Sequence, residues 1–179
     1  MLDRTMPLAG FATTTIGDVT IAAAPPLQRL LLQGLVAEHA SPALGFALPT
    51  GPMQSTTQGE VAALWLGPDE WLLLAPELPQ AALATALSGT AHSLVDISHR
   101  NAALHLSGPL AAQTLNGAVP LDLTLQAFPV GMCTRTIFEK TGITLWRRSE
   151  TRWHLETGRS FIPYVWKLLE AIARADNSG

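Results

Sequence analysis

Val61-Ala62-Ala63-Leu64-Trp65-Leu66-Gly67-Pro68-Asp69-Glu70-Trp71-Leu72-Leu73-Leu74-Ala75 holds two apolar runs separated by four turn-forming residues. Proline presets the φ that the second turn position needs, and Gly and Asp are favoured beside it. The runs are too short for helices and apolar on both faces, so they read as buried strands of a hairpin. Working outward, Pro79–Leu87 is an alanine-rich helix ended by Ser88-Gly89. Ser93–Ile97 and Ala102–Leu106 read as strands, with Ala103 and His105 on one face of the second and Ala102, Leu104 and Leu106 on the other. Ser107-Gly108-Pro109 opens a helix over Leu110–Leu115, which Asn116-Gly117 ends.

Toward the N-terminus, Ala12–Ile16 and Val19–Ala23 flank Gly17-Asp18 as a short hairpin. Leucines 27, 30, 31, 32 and 35 with Val36 predict a helix over Leu27–His39, and the Pro/Gly-rich Ser41–Gly59 predicts a surface loop. Toward the C-terminus, Cys133–Glu139 and Ile143–Arg148 flank Lys140-Thr141-Gly142 as a hairpin, and Trp153–Glu156 adds a strand. Leu121–Phe128 is ambiguous, with leucines alternating at 121, 123 and 125. Arg159–Arg174 spaces Ile162, Val165, Leu168, Leu169 and Ile172 as a helix, with Ser160 as N-cap and Pro163 in the first turn. Neighbouring strands separated by helices imply an α+β fold of antiparallel sheets with helices packed on one side. The divisions expected are an N-terminal segment 1–59, an α+β domain 60–175 and a tail 176–179.

The chain has 179 residues, 47% of them hydrophobic and 14% charged. Soluble domains carry about 25% charged residues, so burial of part of this surface in a stable complex is expected. A net charge of −3 argues against a general nucleic-acid binder. Six cations (Arg135, Lys140, Arg147, Arg148, Arg152, Arg159) nonetheless crowd one stretch. They read either as solvated strand faces or as a surface facing an acidic neighbour or an anionic ligand. The single cysteine, Cys133, cannot form an internal disulfide, which fits a reducing compartment, and it reads as a small buried hydrophobe. Without a signal-peptide pattern or an apolar run of about 20 residues, a soluble cytoplasmic protein is expected.

Reactive constellations are sparse. The five histidines fall in no metal-binding spacing, and the glycines form no phosphate-binding loop. Asp96, Ser98, His99 and Arg100 invite a hydrolase reading. Residues this close on a strand cannot fold back into a relay, so a turn network built on the Asp96 carboxylate is expected instead, with ligand or interface contact as the other reading. Trp146 beside Arg147-Arg148 has the composition of an interface anchor, against core packing as the plainer role.

Leu64-Trp65-Leu66-Gly67-Pro68-Asp69-Glu70-Trp71-Leu72, Val95-Asp96-Ile97-Ser98-His99-Arg100 and Leu106-Ser107-Gly108-Pro109 together resemble the gamma subunit of heterotetrameric sarcosine oxidase. The likeness continues more loosely through Phe128-Pro129-Val130-Gly131, Arg135-Thr136 and Leu145-Trp146-Arg147. It covers roughly the last two-thirds of the chain. That family is related to the folate-binding domains of the glycine-cleavage T-protein (aminomethyltransferase) and its YgfZ-type relatives, so the resemblance implies a partial aminomethyltransferase-like fold. It also implies alpha, beta and delta partner subunits and a complex that oxidises sarcosine to glycine. The products are hydrogen peroxide and formaldehyde or methylene-tetrahydrofolate. FAD, FMN, NAD, tetrahydrofolate and zinc are implied on the other subunits, with no cofactor, metal or active site in this chain. Asp96, Ser98, His99 and Arg100 match a family motif, and Trp146 and Arg147 lie in the looser likeness. No catalytic residue is carried over, because the N-terminal third lacks the acidic residue that the aminomethyltransferases use at the amine. A stand-alone folate-binding protein is the alternative.

Overall fold

Along the computed structural model, which describes residues 10–177, the elements run β1 (Thr14–Ile16), β2 (Val19–Ala23), β3 (Gln28–Gln33), α1 (Ala37–Leu44), β4 (Ser55–Gln58), β5 (Val61–Gly67), β6 (Glu70–Ala75) and α2 (Gln80–Ala86). They continue with β7 (Ser93–Asp96), β8 (Asn101–Ser107), α3 (Ala111–Asn116), β9 (Cys133–Phe138), β10 (Thr141–Ser149), β11 (Arg152–Gly158) and α4 (Ile162–Asp176). The expectation that no signal peptide opens the chain falls almost wholly outside the described residues, as do the last two residues of the tail. The chain folds as two units. One holds Pro26–His99 with Gly131–Thr134, and the other holds Arg100–Val130, the chain from Arg135 onward and the described residues up to Pro25.

The first unit is built on a five-stranded sheet ordered β4-β5-β6-β3-β7, with every pairing antiparallel. The decisive hairpin is β5–β6, pairing Trp65 with Trp71 and Leu64 with Leu72. Asp69 takes φ 55° at the third turn position, the left-handed geometry that Asp tolerates and that a proline at the position before it favours. Leu30, Leu32, Ala63, Trp71, Leu73 and Ala75 pack with Val36, the N-cap of α1, with Ala40 and Leu44 of α1 and with Leu83 of α2. The alternate residues Ala62, Leu64, Leu72 and Leu74 are buried as well, which explains why the runs do not alternate. Each buried leucine contributes about 1.5–3 kcal/mol.

Two expectations fail here. Leu27–His39 is not a helix, because Gln28–Gln33 is the strand β3, seated between β6 and β7. Leu30 and Leu32 are buried on one face of β3 while Arg29 is buried and Leu31 half-buried on the other, so its leucines do not alternate with polar residues and imitate a helical stripe. Ser41–Gly59 is not a surface loop either. It holds the end of α1 and all of β4, and Pro49 O accepts the Trp71 Nε1–H at 2.7 Å.

The second unit carries a six-stranded sheet ordered β1-β2-β8-β11-β10-β9, antiparallel from β1 to β10. Helices α3 and α4 pack on β2 and on each other. Cross-strand partners share a face, so Ile21, Leu106, Trp153 and Arg147 form one row, and Ala22, His105, His154 and Trp146 form a row on the opposite face. Leu121–Phe128 forms no strand, although Leu123 and Phe128 are buried. Ser160 lies in a 3₁₀ turn, Arg159–Phe161, and does not cap α4, whose N-cap is Phe161 without a side-chain bond. Pro163 sits in the first turn of α4 as anticipated. The proposed division at Gly59 falls in the β4–β5 hairpin, inside one unit. The tail begins with Asp176, the last residue of α4.

Substitutions at Asp69 should separate turn geometry from side-chain chemistry. Asp69→Gly is expected to leave stability within about 0.5 kcal/mol of the parent, whereas Asp69→Val should cost about 1–3 kcal/mol, the cost of a branched side chain in left-handed backbone. Urea unfolding of the two variants measures both; equal losses would place the turn's stability elsewhere.

Candidate functional site

Asp96 ends β7, an edge strand of the five-stranded sheet. Its Oδ1 accepts the Ser98 N–H at 2.8 Å, and Ser98 Oγ accepts the Arg29 N–H at 2.9 Å. The Ile97 N–H donates to Arg29 O at 2.9 Å, so the turn stays tied to β3 past the end of the strand pairing. The Ser98 hydroxyl and backbone N–H hold the exposed Asp96 carboxyl below its usual range. His99 and Arg100 are exposed in the same turn, and the chain passes from one unit to the other between them. Asp96 therefore closes a turn between two different sheets, rather than a corner between neighbouring strands of one sheet.

Trp146 and Arg147 do not stand on the surface as an interface pair would. Trp146 is 6% exposed and Arg147 4%. Arg147 Nη1 donates to Leu123 O at 3.1 Å and Phe128 O at 2.8 Å, and Nη2 donates to Glu150 O at 2.7 Å. Its guanidinium also lies 4.6 Å from the Trp153 ring centroid. A segment with no strand partner must satisfy its carbonyls otherwise, and this fork satisfies two of them in 121–128. On the opposite face Arg148 stacks 5.0 Å over Trp146. The indole N–H groups of Trp146 and Trp153 are buried without acceptors, each a cost of about 1–3 kcal/mol that packing must offset.

The polar chain that sequence reading did not single out runs along that same face. His105 Nε2 lies 3.0 Å from His154 Nδ1, and His154 Nε2 lies 2.8 Å from Glu156 Oε1. With Glu156 ionised, the ring protons line up as His154 Nε2–H to the carboxylate and His105 Nε2–H to His154. Trp146 meets His154 edge-on at 5.9 Å. Burial pushes the His105 pKa down to about 4, helped by His154 and Arg148 and opposed by Glu156. The spacing of His154 and Glu156, two apart on a strand, was visible; the partner His105, 49 residues away, was set by register alone.

Elsewhere, Cys133 is fully buried and its thiol is pushed up to about 12 by burial, the behaviour of a packing residue. Among the described residues no three His, Cys, Asp or Glu side chains gather to hold a metal. A notch of about 190 Å³ is lined by Leu35, Val36, Ala37, Glu38, His39 and Asp69, smaller than the roughly 300–1,000 Å³ of ordinary small-molecule sites.

Comparison with known proteins agrees with these motifs. A model of the sarcosine oxidase, gamma subunit family matches residues 33–175. The sarcosine oxidase subunit gamma of Corynebacterium sp. (strain P-1) is 35% identical over 127 residues, 69% of this chain and 62% of that protein. The subunit gamma of Arthrobacter sp. is 38% identical over 117 residues, 63% of this chain and 57% of that protein. The aligned part thus spans less than two-thirds of these relatives. Among solved structures, a chain of the heterotetrameric sarcosine oxidase from Corynebacterium sp. U-96, in complex with pyrrole 2-carboxylate, superposes with a TM-score of 0.85 at 28% identity, covering 94% of each chain. The glycine cleavage system aminomethyltransferase T of Bartonella henselae superposes at 0.69 with 16% identity, covering 88% of this chain and 46% of that one, a likeness of fold.

Two tests follow from the geometry. Arg147→Ala should cost about 3 kcal/mol or more, since three carbonyls lose their donor, while Asp96→Ala, at an exposed turn, should cost about 0.5–1.5 kcal/mol; thermal unfolding at neutral pH ranks the two, and the reverse order would remove Arg147 as the internal tie. The second concerns acid. His105 titrates near 6.5 when unfolded and near 4 when folded, so the unfolded chain binds the extra proton and stability falls as pH drops from about 6.5 to 4. His105→Gln should flatten the Tm loss across that window; an unchanged slope would exclude His105 as its source.

Proposed function

The chain belongs to the sarcosine oxidase gamma subunit family, and on that premise we propose that it serves as a non-catalytic gamma subunit of a heterotetrameric sarcosine oxidase, contributing to assembly of the complex. The reaction of that complex is the oxidative demethylation of sarcosine to glycine, with hydrogen peroxide and formaldehyde or methylene-tetrahydrofolate as products. In this reading the alpha, beta and delta subunits are the partners and carry FAD, FMN, NAD, tetrahydrofolate and zinc. The observation that carries it is the superposition over 94% of both chains on a chain of such a heterotetramer.

The side-chain chemistry supports the same reading. Arg147 directs both Nη groups at backbone carbonyls and keeps its Nε buried, and His154 and Glu156 are each 1% exposed. Groups held this way position the fold and are poorly placed to meet a substrate. Asp96 and Ser98 close a turn on β3, a structural role for the family motif. Among the described residues no helix is long and apolar enough to cross a membrane.

Co-expression with the alpha, beta and delta subunits of the same organism should yield one stable, flavin-containing assembly retaining this chain through size-exclusion chromatography. A chain that elutes as a monomer beside its intended partners would defeat the proposal. Titration of the isolated chain with tetrahydrofolate, read by tryptophan fluorescence, addresses the alternative: micromolar binding would favour a stand-alone folate-binding protein.

A further inference from the structure

We propose that the outward corner made by the start of α4 and the start of β8 is the surface by which this chain docks on an acidic face of a companion subunit. The inference rests on the subunit reading above. Helix α4 buries Ile162, Val165, Trp166, Leu169 and Ala173, which completes its contribution to the core. Its outer side still presents two large aromatics within one turn, Phe161 at 49% and Tyr164 at 40% exposure. Lys167 follows at the helical spacing and is exposed. The Arg159 N–H donates to Arg100 O at 3.0 Å, which brings Arg100, exposed in its turn, to the same corner.

Exposed aromatics ringed by arginine and lysine have the composition of interface hot spots. The charge selects the occupant. Glu170, the carboxylate on this helix beside the patch, is already engaged: Oε1 accepts the Trp166 Nε1–H at 3.1 Å, and Oε2 lies 3.6 Å from Arg174. Farther along, Asp176 accepts the Thr114 hydroxyl at 3.1 Å. Arg100 and Lys167, both exposed, therefore set a positive rim, which favours carboxylates on the partner and repels a basic surface. The net charge of −3 disfavours a nucleic-acid strand as occupant.

Tyr164→Ala and Lys167→Glu, made separately and together in the full chain and co-expressed with the alpha, beta and delta subunits, provide the test. Each should weaken retention in the complex about ten-fold, and Lys167→Glu should blunt its sensitivity to salt between about 0.05 and 0.5 M. Both side chains are exposed, so the isolated variants should melt as the parent does, which separates lost docking from lost folding. Parent-like retention and salt dependence in the double variant overturn the docking surface alone. Failure of the parent to co-purify overturns the subunit reading and this inference with it. A third result would also overturn it: concentration-dependent dimerisation of the isolated parent, abolished by the double variant. The corner would then belong to a second copy, whose unit spanning Pro26–His99 offers six carboxylates against the single cation Arg29.

Discussion

Val61–Leu66 and Trp71–Ala75 have no polar face to give to water, and most of the first unit follows from that constraint. A strand apolar on alternate residues can line one side of a sheet; a strand apolar throughout must be inside. Leu64, Leu72 and Leu74 are therefore as buried as Leu73 and Ala63 on the side covered by α1 and α2. β3, beside β6, brings Leu30 and Leu32 to the face covered by α1 and α2 and leaves Leu31 half-buried on the other. Gln28, Arg29 and Gln33 are the polar residues of β3, and Gln33 is exposed. Half-buried Gln28 accepts the Leu78 N–H through Oε1 at 2.7 Å, and buried Arg29 donates from Nη1 to Leu27 O at 2.8 Å, so each polar side chain taken from water arrives with its own partner.

The second unit solves a different problem. Its sheet is closed by β9 on one edge and β1 on the other, while the segment between α3 and β9 passes by without strand pairing. Leu123 and Phe128 anchor that segment by burial, and their carbonyls would be costly without donors. Arg147 supplies them from the neighbouring strand β10. The guanidinium suits the task because its planar fork reaches several acceptors at once and stays charged, which a lysine could not match. On the other face of the sheet, His105, His154 and Glu156 form a carboxylate–imidazole–imidazole chain whose members satisfy one another, and Trp146 packs against it.

These two polar networks bear on function through what they leave available. In each, the hydrogen bonds formed run to neighbouring groups within the unit, which is the organisation of a framework. What remains outward is modest in chemistry: the exposed Phe161, Tyr164 and Lys167 on α4 and the exposed Arg100 before β8. Membership of the sarcosine oxidase gamma subunit family gives these surfaces a context in which covering them is the expected fate, and the low charge content of the chain points the same way.

Local chemistry was enough to read much of this protein. The hairpins about Gly17-Asp18, Gly67–Glu70 and Lys140–Gly142, the helices after Pro79 and Gly108, and the antiparallel α+β class all rest on turn residues and short apolar runs, whose preferences act over a few residues. So does the Asp96–Ser98 turn, since its bond spans two residues. Pairing partners were decided only by the tertiary structure. Whether Gln28–Gln33 is helix or strand depends on β6 and β7 being present to take its hydrogen bonds on both sides, and leucine spacing carries no record of them. Trp146 and Arg147 looked like an interface pair because the neighbours that bury them lie on other strands and in a distant loop, and His105 met His154 through register alone. A burial or a bond between residues far apart in the chain is a property of packing, and no local pattern encodes it.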